Sequence, residues 1–267
     1  EMSFFDHLRE LRTRFILALY GIVPGIALAA YFAGDILTFL TRPFLEAYRN
    51  TDLGEPSLHI ASPADGFVAQ ISIALVCGAI FASPWIFYQA WAFVAPGLYR
   101  KERRLALPFV IFAGLFFIAG AFFGYQFVLP PAFQALLAFT GTIDSSLIEA
   151  ELTVTPTIMV LDYLDFALRM LLALGITFEV PIVIGFLAWM HLVNWRQLVG
   201  FSRWWIVISA VLAAVLTPSG DAGTMMLVLA PLVVLYYVAI AIAFVVGPRP
   251  PKEAPPTDAP PAVRKAA

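Results

Sequence analysis

Apolar residues run along this chain in long stretches, and the charged residues between them are sparse enough to mark the boundaries. Crossing the hydrocarbon of a bilayer takes about 20 apolar residues in a helix. Gaps in the charge pattern near that length cover 15–34, 66–99, 105–143, 170–195, 204–220 and 222–248. The second gap leaves room for a span plus an interfacial segment. The third is too long for one helix, and Pro130-Pro131 interrupts it. Paired prolines remove amide donors and clash with the preceding turn, so this span is expected to stop near Val128. The fourth is broken only by Glu179 and has room to begin near Ile158. The fifth and sixth are short and joined by a tight hairpin around 217–223. The pattern predicts an all-α, polytopic integral membrane protein with six transmembrane helices in residues 1–246. The remainder, 247–267, is rich in proline and charge, cannot bury a core, and is expected to be a disordered tail.

Six spans place both ends on one side, and lysine and arginine decide which. That side holds Arg9, Arg12, Arg14, Arg100, Lys101, Arg103, Arg104, Arg196, Arg203, Arg249, Lys252, Arg264 and Lys265, thirteen in all. The other side holds Arg42 and Arg49, with a surplus of acids in 35–65 and 144–151. The expected topology is N-in/C-in, in a cell membrane. The basic segment at 1–14 followed by a full-length span reads as a retained helix rather than a cleavable signal.

Composition agrees with a lipid solvent. Hydrophobic residues make up 61% of the chain and charged residues 13%, against about 25% charged in soluble domains. A net charge of −2 gives no sign of a nucleic-acid surface. The single cysteine, Cys77, lies in an apolar run and has no partner for an internal disulfide. His7, His59 and His191 fall in three different segments, and neither a metal-ligand spacing nor a nucleophile motif is present. The sequence therefore predicts no enzyme, no metal and no cofactor.

Four polar constellations remain. In His7-Leu8-Arg9-Glu10-Leu11-Arg12-Thr13-Arg14, Glu10 and Arg14 are one helical turn apart and can pair. The same segment also reads as an amphipathic anchor for anionic lipid. The segment from Phe93 to Arg104 turns at Pro96-Gly97 and carries Glu102 as the lone acid among Arg100, Lys101, Arg103 and Arg104. Glu102 reads either as a neutralising partner for its neighbours or as a site for a cation. Glu179 lies within the fourth span, where a charge costs about 2.5–3.5 kcal/mol. That cost points to a polar cavity, a partner or a protonated carboxyl. Pro181 beside it frees the Thr177 carbonyl and bends the helix. Asp162, Asp165 and Arg169 share one helical face and neutralise each other. Asp221, in Thr217-Pro218-Ser219-Gly220-Asp221, is placed to cap the sixth span.

Together these segments resemble the TatC family. The resemblance rests on H-L-x-E-L-R-x-R from His7, S-P-x-acid-x-F from Ser62, and F-x-x-P-G-L-Y-x-x-E-R from Phe93. F-E-V-P from Phe178 and L-T-P from Leu216 complete it, over roughly 7–240. The chain departs from the simplest family pattern at Asp221, which stands one position late, and at Met225 and Tyr237. The resemblance implies the receptor and scaffold of twin-arginine protein export, with single-span TatA- and TatB-type partners, signal peptides bearing paired arginines, and self-association. It implies that Glu10 and Glu102 meet the arginine pair, with Arg12, Arg14 and Arg103 positioning them and Phe93, Pro96 and Leu98 shaping the loop. It implies that Glu179 faces a concave cavity in the bilayer and meets a partner or the inserted signal. Tyr125, Pro43 and Asp221 fall at further positions of structural or partner contact. A competing reading from the residues alone is an ion-coupled small-molecule transporter using Glu179.

Overall fold

The first apolar stretch and the charged segment ahead of it form one continuous rod, α1 (Phe4–Tyr31). The computed structural model describes residues 4–49, 51, 55–94, 106–138, 141–143, 152–154, 157–217 and 222–247. After a break at Phe32 the chain forms α2 (Ala33–Arg49). A short β1 (Leu58–His59) leads into α3 (Pro63–Val94). α4 (Ala106–Phe123) passes through a π-helical turn (Gly124–Val128) into α5 (Leu129–Leu137). β2 (Gly141–Ile143), β3 (Leu152–Val154) and β4 (Ile158–Met159) precede α6 (Val160–Trp189). α7 (Trp195–Leu216) and α8 (Ala222–Val246) complete the bundle. Among the described residues, six helical segments are long and apolar enough to cross a membrane. The last two, at 22 and 25 residues, are the shortest. The proline-rich tail beyond Gly247 lies outside the described residues.

Two expectations change. The third span does not stop near Val128: the rod continues from α4 to Leu137. The π turn resets the register, with the Leu129 amide reaching the Gly124 carbonyl five residues back. Pro130 and Pro131 then fall in the first turn of α5, where an amide has no intrahelical partner to lose. The charged segment after the first span, where the charge pattern places no span, is also partly helical. Its residues 33–49 form the amphipathic α2, which buries Leu40, Pro43, Phe44 and Ala47 against the bundle. Beyond it, β1 pairs in parallel with β4, and β2 pairs antiparallel with β3. The Ser-Pro-x-acid motif is a helix start. The Asp65 carboxylate accepts from the Ala61 and Ser62 amides, and the Ser62 hydroxyl accepts from the Ala64 amide. α7 starts nine residues earlier than the charge pattern indicates, on a capping box formed by Asn194 and Gln197.

Without water, helices in lipid associate through close packing and hydrogen bonds rather than hydrophobic exclusion. Both are visible. A Cβ built on Gly25 would lie 2.5 Å from the Gly78 carbonyl oxygen, and one on Gly78 would lie 2.7 Å from the Ile26 backbone. α1 and α3 therefore touch backbone to backbone. α4 meets α6 in the same way at Gly120, where a Cβ would lie 2.6 Å from the Leu174 carbonyl. Aromatic donors then bridge helices. Trp85 Nε1 donates to the Leu17 carbonyl at 2.9 Å, Trp205 Nε1 to Leu232 at 3.2 Å, and the Tyr236 hydroxyl to Leu198 at 2.8 Å. The Tyr163 hydroxyl donates to the Leu40 carbonyl.

The Tyr125 hydroxyl donates to the Phe39 carbonyl at 2.9 Å, and its ring stacks on Phe39 at 4.2 Å. Phe39 lies four residues before Pro43, so its carbonyl has no helical amide to accept from. Tyr125 supplies the missing donor. Removing that hydroxyl should strand a buried acceptor, at a cost of about 1–3 kcal/mol. Tyr125→Phe should therefore lower the thermal midpoint of the detergent-solubilised protein. In a Pro43→Ala background, where an amide returns, the same change should cost much less, and equal costs in both backgrounds would disprove the link. At the other contact, Gly78→Val should separate α1 from α3 and destabilise the protein by about 1–3 kcal/mol, typical of overpacking, with Gly34→Val at an open position as the neutral control.

Candidate functional site

The end of the bundle where α1 begins gathers the first constellation. Glu10 and Arg14 lie one turn apart on α1, and Arg14 donates to the Glu10 carboxylate at 3.5 Å. The same guanidinium donates to the Gln89 side-chain oxygen on α3 at 3.5 Å. Gln89 is buried at 3% exposure, so this contact ties the two helices from within. Glu10 is left half-buried, at 18% side-chain exposure. One of its oxygens, Oε2, is fully covered and accepts no hydrogen bond. One turn before Glu10, His7 stacks on Phe93 near the end of α3, with centroids 4.4 Å apart. Arg12 is exposed and has no partner among the described residues, so it is Arg14, rather than Arg12, that holds Glu10.

This arrangement is a carboxylate with one anchored face and one unanswered oxygen. Leaving a buried acceptor unpaired costs about 1–3 kcal/mol, more for a charged group. Pro96, Leu98, Glu102 and Arg103 lie outside the described residues. Gln89 carried no signal in the sequence, because a lone amide in an apolar run looks like any satisfied polar residue. Its position one turn before Phe93 was the available clue.

Glu179 lies in the middle of α6 at 8% exposure. Its carboxyl stands beside the Phe117 backbone of α4, and Oε1 is buried with no partner. The expectation of a carboxylate open on a concave cavity is thus corrected. Gly120 and Gly175 let α4 and α6 approach until Phe117 and Phe178 fill the space between them. A groove of about 500 Å³ does run beside this contact, but Phe178, Phe123 and Met226 line it. Thr177 donates its hydroxyl to the Ala173 carbonyl at 2.7 Å. Tyr125 and Pro43 come together through the Phe39 carbonyl at the opposite end from Glu10, both buried. Asp221 lies outside the described residues. The structure thus groups the candidate residues into three places rather than one.

Comparison with known proteins gives this geometry a family. The family model described as Sec-independent protein translocase protein (TatC) matches residues 6–231. The Sec-independent protein translocase protein TatC of Koribacter versatilis is 35% identical over 252 residues, covering 93% of this chain and 87% of the relative. The TatC of Aquifex aeolicus is 36% identical over 239 residues, covering 90% and 93%. A crystal structure of the twin arginine translocase receptor TatC aligns with a TM-score of 0.76 at 35% identity, covering 90% of this chain and 99% of that one. The chain is a multi-pass membrane protein that belongs to the TatC family, a component of the Sec-independent protein translocase.

Proposed function

We propose that this protein is the membrane-embedded receptor and scaffold of the twin-arginine translocase, binding the paired arginines of signal peptides on folded substrates. The observation that carries the reading is the covered, unpartnered Oε2 of Glu10, whose other oxygen is held by Arg14, itself bonded to Gln89. A guanidinium fork binds a carboxylate through parallel charge-assisted hydrogen bonds, a geometry lysine does not reproduce. Glu102, the lone acid of the basic segment after α3, is the second carboxylate of the site, with Phe93, Pro96, Leu98 and Arg103 shaping its surroundings. The site faces the cytoplasm, and both termini lie there, in the inner membrane of the cell, as the thirteen-to-two bias in basic residues supports. The role is transport and recognition, with no chemical reaction.

Glu179 serves assembly. An acid kept in mid-membrane with an unsatisfied oxygen is costly enough to mark function. Its partners in this reading are polar groups on TatA- and TatB-type single-span proteins, which the protein organises together with further copies of itself for export driven by the proton-motive force. The relatives are protein translocase components, which weighs against a small-molecule transporter built on Glu179.

The first test uses the reconstituted protein and a fluorescent twin-arginine signal peptide. Glu10→Gln and Glu102→Ala should each weaken binding about 10- to 100-fold, as expected for losing charge-assisted hydrogen bonds of about 1.5–3 kcal/mol. A twin-lysine peptide should bind the unmodified protein less well, and that discrimination should shrink in Glu10→Gln. Unchanged anisotropy curves would refute the docking site. The second test separates docking from assembly. Glu179→Ala should leave peptide binding intact while lowering co-purification of the single-span partners several-fold, and full recovery of those partners would remove the assembly role.

A further inference from the structure

At the end of the bundle away from Glu10, a cavity of about 630 Å³ opens beside the start of α6. Its size falls within the range of pockets that enclose small organic ligands, about 300–1,000 Å³. Its wall is apolar and largely aromatic: Phe44 of α2, Phe133 and Leu136 of α5, Phe166 of α6, and Leu216 at the end of α7. Three charged residues of α6, Asp162, Asp165 and Arg169, line it as well. They share one helical face and cover about 10 Å along the axis from first to last. Asp162 lies in the first turn of the helix, outermost. Arg169 is the deepest, but its head is drawn outward, with Nε on the Asp165 carboxylate at 2.7 Å. Its two terminal nitrogens have no partner among the described residues, and neither does Asp162.

From the helix start inward, the cavity therefore presents a free carboxylate, then a guanidinium with two open donors, then an aromatic slot. We propose that it holds one phospholipid with a primary-amine headgroup. Such a lipid carries the complementary groups in the same order: an ammonium, a phosphate and an acyl chain. The ammonium donates to Asp162. The phosphate accepts from the terminal nitrogens of Arg169, whose long side chain reaches the headgroup level from a deeper backbone position. The acyl chain lies against Phe133 and Phe166. Two carboxylates to one guanidinium make the rim net negative, so an anionic glycerol headgroup, with no ammonium for Asp162, is disfavoured. A quaternary headgroup keeps the charge but has no N–H to donate. The assignment is independent of signal docking, which occurs at the other end.

Native mass spectrometry of the full chain tests it. The protein is released in mild detergent and exposed to equal amounts of phosphatidylethanolamine, phosphatidylglycerol and phosphatidylcholine. One phosphatidylethanolamine should be retained at least about tenfold over either competitor. This comparison needs no variant and so does not depend on any substitution folding. Asp162→Asn/Arg169→Gln should erase the preference, and Leu136→Trp, which fills the slot, should reduce retention of all three lipids. Equal retention of the three headgroups by the unmodified protein, or unchanged preference in the double variant, overturns the proposal. A photoreactive residue at 166 in native membranes should label lipid, and a peptide adduct there would assign the cavity to a protein partner instead.

Discussion

A carbonyl or amide in the hydrocarbon of a membrane has no water to bond, so every backbone polar group freed from its helix needs a donor or acceptor within the protein. This constraint shapes the bundle more than any single side chain. Prolines interrupt α1, α2, α3, α6 and α8 at Pro24, Pro43, Pro84, Pro181 and Pro231. Each removes one amide and leaves a carbonyl four residues back. At Pro43 the protein resolves the deficit across elements, with the Tyr125 hydroxyl on the Phe39 carbonyl. That bond joins α2 to the π turn, where the extra residue per turn loosens the helical ladder. Trp85, Tyr163, Trp205 and Tyr236 each also donate a polar hydrogen to a carbonyl of a neighbouring helix, although none of those carbonyls lies four residues before a proline. Aromatic residues that look like membrane-interface anchors are therefore also the rivets between helices.

Glycines set the distances that make those rivets reach. At Gly25 and Gly78 the α1 and α3 backbones come into direct contact, and Trp85 then lies close enough to bond Leu17. The same approach brings Gln89 within reach of Arg14, one turn further along both helices. The position of Glu10 is thus a consequence of packing deep in the membrane. Between α4 and α6, contact at Gly120 presses the helices together and encloses the Glu179 carboxyl rather than leaving it exposed on a cavity.

Much of this architecture was legible in the sequence, because lipid enforces simple rules. Long apolar runs counted the spans correctly, and the Glu10–Arg14 and Asp165–Arg169 pairs followed from helical spacing alone. The misreadings share a cause. Charge gaps mark where a chain can sit in lipid, not where a helix ends. So α7 begins at Trp195 instead of Trp204, and α2 is a helix despite its acids and arginines. Pro130-Pro131 looked like a stop because a proline pair breaks a regular helix, whereas a π turn just before it provides a fresh helix start. Gln89 and the enclosure of Glu179 depend on contacts between residues 75 and about 60 positions apart, which periodicity does not encode.

Among the described residues, four buried side-chain oxygens have no hydrogen-bond partner, Glu10 Oε2, Glu179 Oε1, Ser83 Oγ and Ser209 Oγ, and the two carboxylate oxygens are the costlier to leave so. A protein selected only for stability would lose them, since an apolar residue of similar shape in place of a buried unpaired acceptor is favourable. Glu179 lies where contact at Gly120 and Gly175 closes the space between α4 and α6, and Glu10 lies where Arg14 bonds Gln89 across α1 and α3. Such fixed partners matter for any site that binds, because a site that must first order its own side chains loses that free energy from binding. At Glu10, Arg14 holds Oε1 and is itself bonded to Gln89, while Oε2 is covered and has no partner. Under the docking role proposed above, a guanidinium fork would meet a largely buried carboxylate, a geometry that favours arginine over lysine.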